Sequence, residues 1–148
     1  MKVKQAMSES VHAIESTESI ADAAAIMAKL DIGVLPVVDG GKLVGIVTDR
    51  DIVVRGVAHG LHSGSPVLQV MTHDVETCRE NDDIEEVLET MSDEQVRRVP
   101  VCAQDGSVVG IFSIGDAAKF DQDEKEVAAA YRDICRPSAL HSQLAESV

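Results

Sequence analysis

The chain has 148 residues with one Tyr, two Phe and no Trp, so its hydrophobic core must be built from aliphatic side chains. Its formal charge of −13 argues against binding to nucleic acid or to an anionic membrane surface, because both need cationic side chains. The sequence contains no run of about 18 apolar residues and no basic start followed by an apolar segment. We therefore expect neither a membrane span nor a signal peptide, and we predict a cytoplasmic protein.

The sequence contains a tandem repeat. A shift of 64 positions places Ile20 on Ile84 and Pro36 on Pro100. One extra residue in a turn of the second copy makes the shift 65, which places segment 45–51 on segment 110–116. So many matches in register indicate a duplication, with units at 1–58 and 67–122 and a connection at 59–66.

Both copies have the same predicted elements, which assign the chain to the α/β (α+β) class in the order β-α-β-β-α, twice. An extended segment leads to a helix whose N-cap candidates are Thr17 and Asn81. A strand with a proline follows, and the proline favours an edge or an irregular position, where backbone groups are free for another partner. A tight turn, a second strand and a second helix complete each unit. The predicted extended segments are 11–14 and 75–78, the first strands 34–38 and 99–102, and the second strands 43–48 and 108–113.

A further helix is predicted after the second unit, over residues 123–136. Val127, Ala130, Tyr131 and Ile134 recur there at helical spacing, and Pro137 ends the pattern. Residues 137–148 are predicted to form a flexible tail.

The most informative motif is repeated: GIVTDRD at 45–51 and GIFSIGD at 110–116. In each copy a hydroxyl residue precedes an Asp by three positions, where a strand gives way to a helix; the pairs are Thr48 with Asp51 and Ser113 with Asp116. A carboxylate at that place can accept hydrogen bonds from both hydroxyls of a sugar diol. The alternative is that each pair only caps its helix. Two copies at matched positions favour a ligand site.

The cysteines and histidines indicate no metal site. Cys78, Cys102 and Cys135 are too few and too irregularly spaced for a disulfide framework or a zinc site. Cys78 and Cys102 correspond to Ile14 and Val38 in the first copy, so we interpret them as small buried hydrophobes, with a redox pair as the alternative. His59 and His62 lie three apart, but no carboxylate or cysteine completes a ligand set. No catalytic constellation is present, and the chain is predicted not to be an enzyme.

The repeat, the G-x-x-[TS]-x-x-D motif in both copies, and the strands Leu35-Pro36-Val37 and Val99-Pro100-Val101 together resemble a tandem pair of cystathionine-β-synthase (CBS) domains, also called a Bateman module. Segments 48–53, 95–100 and 133–137 look like a narrower group, the stand-alone bacterial CBS-pair proteins of the hypoxic-response type. The resemblance implies two units packed about a pseudo-twofold axis with two clefts.

In family members that bind ligand, the clefts take adenosine derivatives: AMP, ADP, ATP, NAD or S-adenosylmethionine. The resemblance implies that Asp51 and Asp116 hold ribose and that Thr48 and Ser113 contact ribose or phosphate. It also implies that the strand before each proline lines the adenine slot. The candidates for the slot are Val34, Leu35, Arg98 and Val99.

An acidic protein that binds phosphate must place cations locally, and the candidates are Arg50, Arg97 and Arg98. Arg97 and Arg98 could instead form ion pairs with Asp93 or Glu94, and Arg50 could pair with Asp49 or with neighbours of Asp51. Because Gly115 replaces Arg50 in the second motif, we expect unequal sites, with the second weak or empty.

We therefore predict a non-catalytic regulatory module that needs no cofactor, forms a homodimer through exposed apolar positions of the helices at the two motifs, and acts on an unknown partner protein in trans. Its ligand is predicted to be an adenine nucleotide or S-adenosylmethionine. The alternative is a stress or interaction protein whose clefts are vestigial and bind no ligand.

Overall fold

The computed structural model describes residues 1–120 and 124–136 and has the predicted α/β architecture. The four predicted hairpin strands and the C-terminal helix are present, but the predicted extended segment 11–14 is a strand only from Ile14, and segment 75–78 forms only an isolated bridge at Cys78. Residues 121–123 and 137–148 lie outside the described part of the chain, and with them the predicted tail. The strands are β1 (Ile14–Glu15), β2 (Val34–Asp39), β3 (Lys42–Thr48), β4 (Arg98–Cys102) and β5 (Val108–Ser113). The helices are α1 (Ile20–Leu30), α2 (Asp49–Asp51), α3 (Ile84–Glu94), α4 (Ile114–Phe120) and α5 (Glu124–Ile134).

Each unit is built around an antiparallel hairpin with a bulge near the turn. β2 pairs with β3 and β4 pairs with β5, with register shifts after Val37 and Val101 respectively. The expectation that the proline strands lie at an edge is wrong for the first unit, because β1 adds parallel to β2 and makes β2 the middle strand. β1 pairs only with Val37 and Val38, so it does not require the missing amide of Pro36.

The N-cap of the first helix of each unit lies two residues later than predicted. The N-caps are Ser19 and Asp83, rather than Thr17 and Asn81. At Ser19 the hydroxyl accepts from the amide of Asp22, whose carboxylate accepts from the amide of Ser19, so this pair satisfies two free amides of the helix start. Thr17 and Asn81 belong to the preceding turns.

The segment that leads into each unit packs on the other unit. Val3 and Ala6 are buried among residues of the second repeat, whereas Val67, Val70 and Met71 are buried among residues of the first. Backbone hydrogen bonds hold each leading segment on the other unit: Ser8 pairs with Ile111 of β5, and Thr72 pairs with Ile46 of β3. Each hydrophobic core therefore contains residues from both copies of the sequence repeat.

Helix α5 packs on α3 and extends the core of the second unit. Ala130 and Ile134 are buried in the same cluster as Leu88 and Met91. The hydroxyl of Ser92 donates to the Asp133 carboxylate at 2.6 Å, and the side-chain amide of Gln95 donates to the carbonyl oxygen of Asp133 at 3.0 Å. Over residues 1–120 and 124–136, no helix is both long and apolar enough to span a membrane.

Candidate functional site

The first motif lies where β3 ends and a helical run begins. The hydroxyl of Thr48 accepts from the amide of Asp51 at 3.1 Å, and Asp51 Oδ2 accepts from the amide of Thr48 at 2.9 Å. Helix α2 continues through a π-helical turn, Ile52–Gly56. The side chain of Asp51 is only 15% exposed, so its carboxylate is fixed in orientation and partly shielded from water.

The second motif repeats this geometry. Ser113 Oγ accepts from the amide of Asp116 at 3.0 Å, and Asp116 Oδ2 accepts from the amide of Ser113 at 2.9 Å. Asp116 is half-buried at the start of α4. Both pairs therefore cap a helix, as the capping interpretation predicts, and each capping box uses only one carboxylate oxygen of its Asp.

The second oxygens of the two carboxylates have different surroundings. Asp51 Oδ1 lies 3.8 Å from Nε of Arg55, a residue that the sequence reasoning missed although its spacing of four from Asp51 is the one at which opposite charges on a helix meet. No ion pair or hydrogen bond reaches Asp116 Oδ1 from residues 1–120 or 124–136. At the position of Arg55, the second copy has Phe120.

The strand beside each motif brings only some of the predicted residues to it. Val34 lies directly across the hairpin from Thr48, and Arg98 lies directly across from Ser113, so their side chains share the face of the hydroxyl residues. Leu35 and Val99 were expected to line the adenine slot, but the structure places them elsewhere: side chains alternate along a strand, so both point into the cores, where they are fully buried.

The three predicted cations are all exposed. The Arg97 guanidinium lies 4.0 Å from Sγ of Cys135 on the C-terminal side, and the carbonyl of Arg97 accepts from the amide of Ile114 at the start of α4. Within the described ranges 1–120 and 124–136, the guanidinium groups of Arg50 and Arg98 have no ion-pair or hydrogen-bond partner. The alternative ion pairs of Arg97 and Arg98 with Asp93 or Glu94 are not formed there.

Cys78 and Cys102 are buried on neighbouring segments, with the amide of Cys102 donating to the carbonyl of Cys78 at 2.9 Å. Burial raises the pKa of the Cys78 thiol to about 12 and also raises the pKa of Cys102. Raised pKa values keep both thiols protonated near neutral pH, which disfavours thiol chemistry. In the part of the chain that the structure describes, no three or more His, Cys, Asp or Glu side chains come together as a metal-binding group.

A cavity of about 330 Å³ lies beside β3 and reaches Gly45 of the first motif, but not the hydroxyl and carboxylate pair of either motif. It is lined by residues of both repeats and contains none of the predicted site residues. We place the candidate site at the motifs instead, because the same hydroxyl and carboxylate geometry occurs there twice. The cavity is lined by Leu43, Val44, Gly45, Asp74, Val75, Thr77, Arg79, Cys102 and Gly106.

Among known protein families, the CBS domain matches this chain at residues 3–56 and again at 67–123. The CBS domain-containing protein YhcV of Bacillus subtilis is 33% identical over 132 residues, which cover 89% of this chain and 94% of YhcV. Hypoxic response protein 1 of Mycobacterium tuberculosis is 36% identical over 138 residues, which cover 92% of this chain and 95% of that protein.

Two solved structures are also similar to this chain. The crystal structure of Hypoxic Response Protein I with two coordinated zinc ions has a TM-score of 0.74 and 34% identity, covering 81% of this chain and 98% of that one. The CBS domain pair of protein MJ0100, solved in complex with 5′-methylthioadenosine and S-adenosyl-L-methionine, has a TM-score of 0.72 and 34% identity, covering 80% of this chain and 94% of that one. With two family matches that together span most of its length, the chain belongs to the CBS domain family and carries two CBS domains in tandem.

Proposed function

We propose that this protein is a non-catalytic regulatory module that binds an adenosine-type ligand in the clefts at its two motifs. The ligand class is AMP, ADP, ATP, NAD or S-adenosylmethionine. The observation that carries the proposal is the repeated pair of half-buried carboxylates, Asp51 and Asp116, each held by a hydroxyl residue at a helix start. A fixed carboxylate is suited to accept both hydroxyls of a ribose, because it loses little freedom on binding.

The relative MJ0100 supports the ligand class, since its CBS pair was solved with two adenosyl compounds. Val34 and Arg98 share the face of the hydroxyl residues and are the strand residues proposed to contact the ligand. Arg50, Arg97 and Arg98 are the proposed cations for a phosphate. The ligand shifts the relative arrangement of the two units only if it binds one arrangement more tightly, and the output then reaches an unknown partner protein in trans.

Thermal unfolding with and without millimolar AMP, ATP, NAD and S-adenosylmethionine tests the proposal. A ligand at about 100 times its Kd that binds only the folded protein stabilises it by roughly 2.7 kcal/mol. We expect this stabilisation with at least one of the four compounds. We expect it to be lost when the 2′ and 3′ hydroxyls of the ribose are removed, because the diol is the group that the carboxylates recognise.

The double variant Asp51→Asn with Asp116→Asn is expected to lose the stabilisation while unfolding at nearly the same temperature as the original protein without ligand, since Asn also caps helices. The matched control is Asp49→Asn, an exposed carboxylate on the same helix start whose Oδ1 accepts from the amide of Arg50. If none of the four compounds stabilises the protein, the alternative of an interaction protein with vestigial clefts is correct.

We propose that another molecule of this protein covers the exposed apolar side chains of the helical runs after the two motifs. Val53, Val54, Val57 and Phe120 are exposed to 58%, 42%, 68% and 46% respectively. Light scattering with size-exclusion chromatography is expected to show a homodimer, and Val57→Asp is expected to shift it towards monomer because a charge is costly to bury there. Leu68→Asp, at an exposed apolar residue outside these helical runs, is the control and should leave the dimer intact.

A further inference from the structure

The two motif carboxylates are not equally available, although their capping geometry is the same. In both, Oδ2 accepts from a backbone amide. The difference lies at Oδ1, the oxygen left to accept from a ribose diol. Asp51 Oδ1 faces the Arg55 guanidinium, whereas Asp116 Oδ1 has no partner within residues 1–120 and 124–136.

Arg55 is held in place by the chain that leads into the second unit. Its Nη1 donates to the carbonyl of Met71 at 3.2 Å, and it lies 3.5 Å from the carbonyl of Val70 and from Oγ1 of Thr72. Thr72 in turn pairs with β3 through backbone bonds at 2.8 and 3.0 Å. A guanidinium anchored by three acceptors keeps its position beside the carboxylate, so a ligand at Asp51 must displace or share it.

The second motif has the opposite features. At the position of Arg55 it has Phe120, which cannot pair with a carboxylate. At the start of the adjacent strand β4, Arg98 and the preceding residue Arg97 occupy the positions of Val34 and Gly33 in the first copy. Arg98 lies directly across from Ser113, on the same face of the hairpin, and its guanidinium has no partner among the described residues.

The geometry points to the second motif as the ligand site of higher affinity, with Arg55 acting as a positioning residue that occupies the Asp51 carboxylate and weakens ligand binding at the first. This assignment rests on the proposed adenosine ligand, and it reverses the order of affinity expected from Arg50 and Gly115. The first motif then has a structural role. The contacts from Asp51 through Arg55 to residues 70–72 join the first hairpin to the segment that leads into the second unit.

Isothermal titration with AMP, and in parallel with S-adenosylmethionine, tests the assignment because it reports both affinity and the number of sites. The original protein is expected to bind one molecule per chain tightly. Asp116→Asn is expected to weaken that binding at least about tenfold, as the loss of a charged hydrogen-bond acceptor does. Asp49→Asn, at an exposed carboxylate outside both capping pairs, is expected to change it by less than about twofold, whereas Asp51→Asn is expected to act only on the weak first motif.

The repeat supplies a reciprocal exchange as a second test. Arg55→Phe makes the first motif resemble the second and is expected to add a second binding event per chain. Phe120→Arg places a guanidinium four residues after Asp116 and is expected to weaken the tight site about tenfold. Phe120 is exposed, so its replacement does not open the core, and thermal unfolding without ligand checks that each variant folds.

The possible failures separate the two proposals. If AMP or S-adenosylmethionine binds but Asp51→Asn abolishes the tight site, or Arg55→Phe weakens it, the assignment is wrong while the proposed function stands. If neither of these compounds, nor ATP or NAD, binds the original protein or any variant, both proposals fail.

Discussion

The buried thiol of Cys78 makes the stability of the fold depend on pH in the alkaline range. Burial raises its pKa from an ordinary 9.0 to about 12, because a thiolate would be poorly solvated there. Between these two values the unfolded chain loses the proton and the folded chain keeps it. The free energy of unfolding is therefore full below pH 9.0 and falls as the pH rises towards about 12.

Cys78→Val is expected to reduce this alkaline loss of stability, since valine is apolar and does not titrate. Urea unfolding at several pH values between about 8 and 12 measures it. Cys102, whose pKa burial also raises, keeps part of the pH dependence in the variant. Equal losses in the original protein and in Cys78→Val would contradict this account.

Only some of the residues that form the two motif sites could be predicted from the sequence. The hydroxyl and carboxylate pairs Thr48 with Asp51 and Ser113 with Asp116 follow from a spacing that is local in sequence, so the pattern alone located them. Arg55 was missed because its acceptors, the carbonyls of Val70 and Met71, come from a segment whose position depends on tertiary packing. Helical spacing could have indicated its pairing with Asp51, but not its anchoring.

Strands β3 and β5 each contain a glycine at the point where another segment of the chain crosses the strand in close contact. A Cβ atom on Gly45 would lie 2.7 Å from the carbonyl oxygen of Thr72 and 2.8 Å from Sδ of Met71. The oxygen of Thr72 also accepts from the amide of Ile46 at 3.0 Å, so it cannot retreat without losing that bond. The crossing therefore has no room for a side chain.

Gly45→Ala is expected to destabilise the protein by about 1 to 3 kcal/mol, the usual range for forcing extra atoms into a packed site. Chemical denaturation measures this change. Gly115→Ala is the matched control, because its Cβ would meet only Ser113 Oγ at an ordinary 3.5 Å. Helix propensity predicts that Gly115→Ala is neutral or stabilising by up to about 1 kcal/mol. A Gly45→Ala variant as stable as the original would show that the crossing segments can move apart.

The four hairpin strands were predicted well because their apolar runs are continuous and end at clear turns, such as the one around Gly40 and Gly41, whereas the predicted extended segments 11–14 and 75–78 pair only at Ile14 and Cys78. The helix starts differ from the prediction because two polar residues near each start can serve as the N-cap. In the first unit Ser19 is the N-cap, since it forms reciprocal hydrogen bonds with Asp22. The edge position expected for Pro36 failed because β1 pairs with β2 beyond the proline. That pairing is between segments distant in sequence, and no local pattern encodes it.

At the scale of the molecule, the exchanged leading segments make each core depend on both halves of the chain. Val3 and Ala6 complete the second core, and Val67, Val70 and Met71 complete the first. Neither half can keep its core closed if the other opens. The repeat predicts two units in tandem. It does not predict that the segment leading into each unit packs in the core of the other unit.

We therefore expect the chain to unfold in one cooperative transition. Tyr131, the single tyrosine in a chain without tryptophan, reports on α5 and the second unit by fluorescence, while circular dichroism reports on the whole chain. Val67→Ala removes methyl groups from the first core and should destabilise the chain by on the order of 2 kcal/mol. It is expected to shift both signals equally. A shift in circular dichroism with an unchanged tyrosine transition would mean that the units unfold separately.

The exchange also constrains how a chain of this kind could have arisen. A polypeptide of half this length would carry a leading segment that fits only the core of another copy, so it could fold only as a domain-swapped pair. Joining two such copies end to end would replace an encounter between molecules by one within a single chain, at a much higher effective concentration. Once the copies were joined, the two halves could diverge, so that one helix carries Arg55 where its counterpart carries Phe120, without any change to the shared framework.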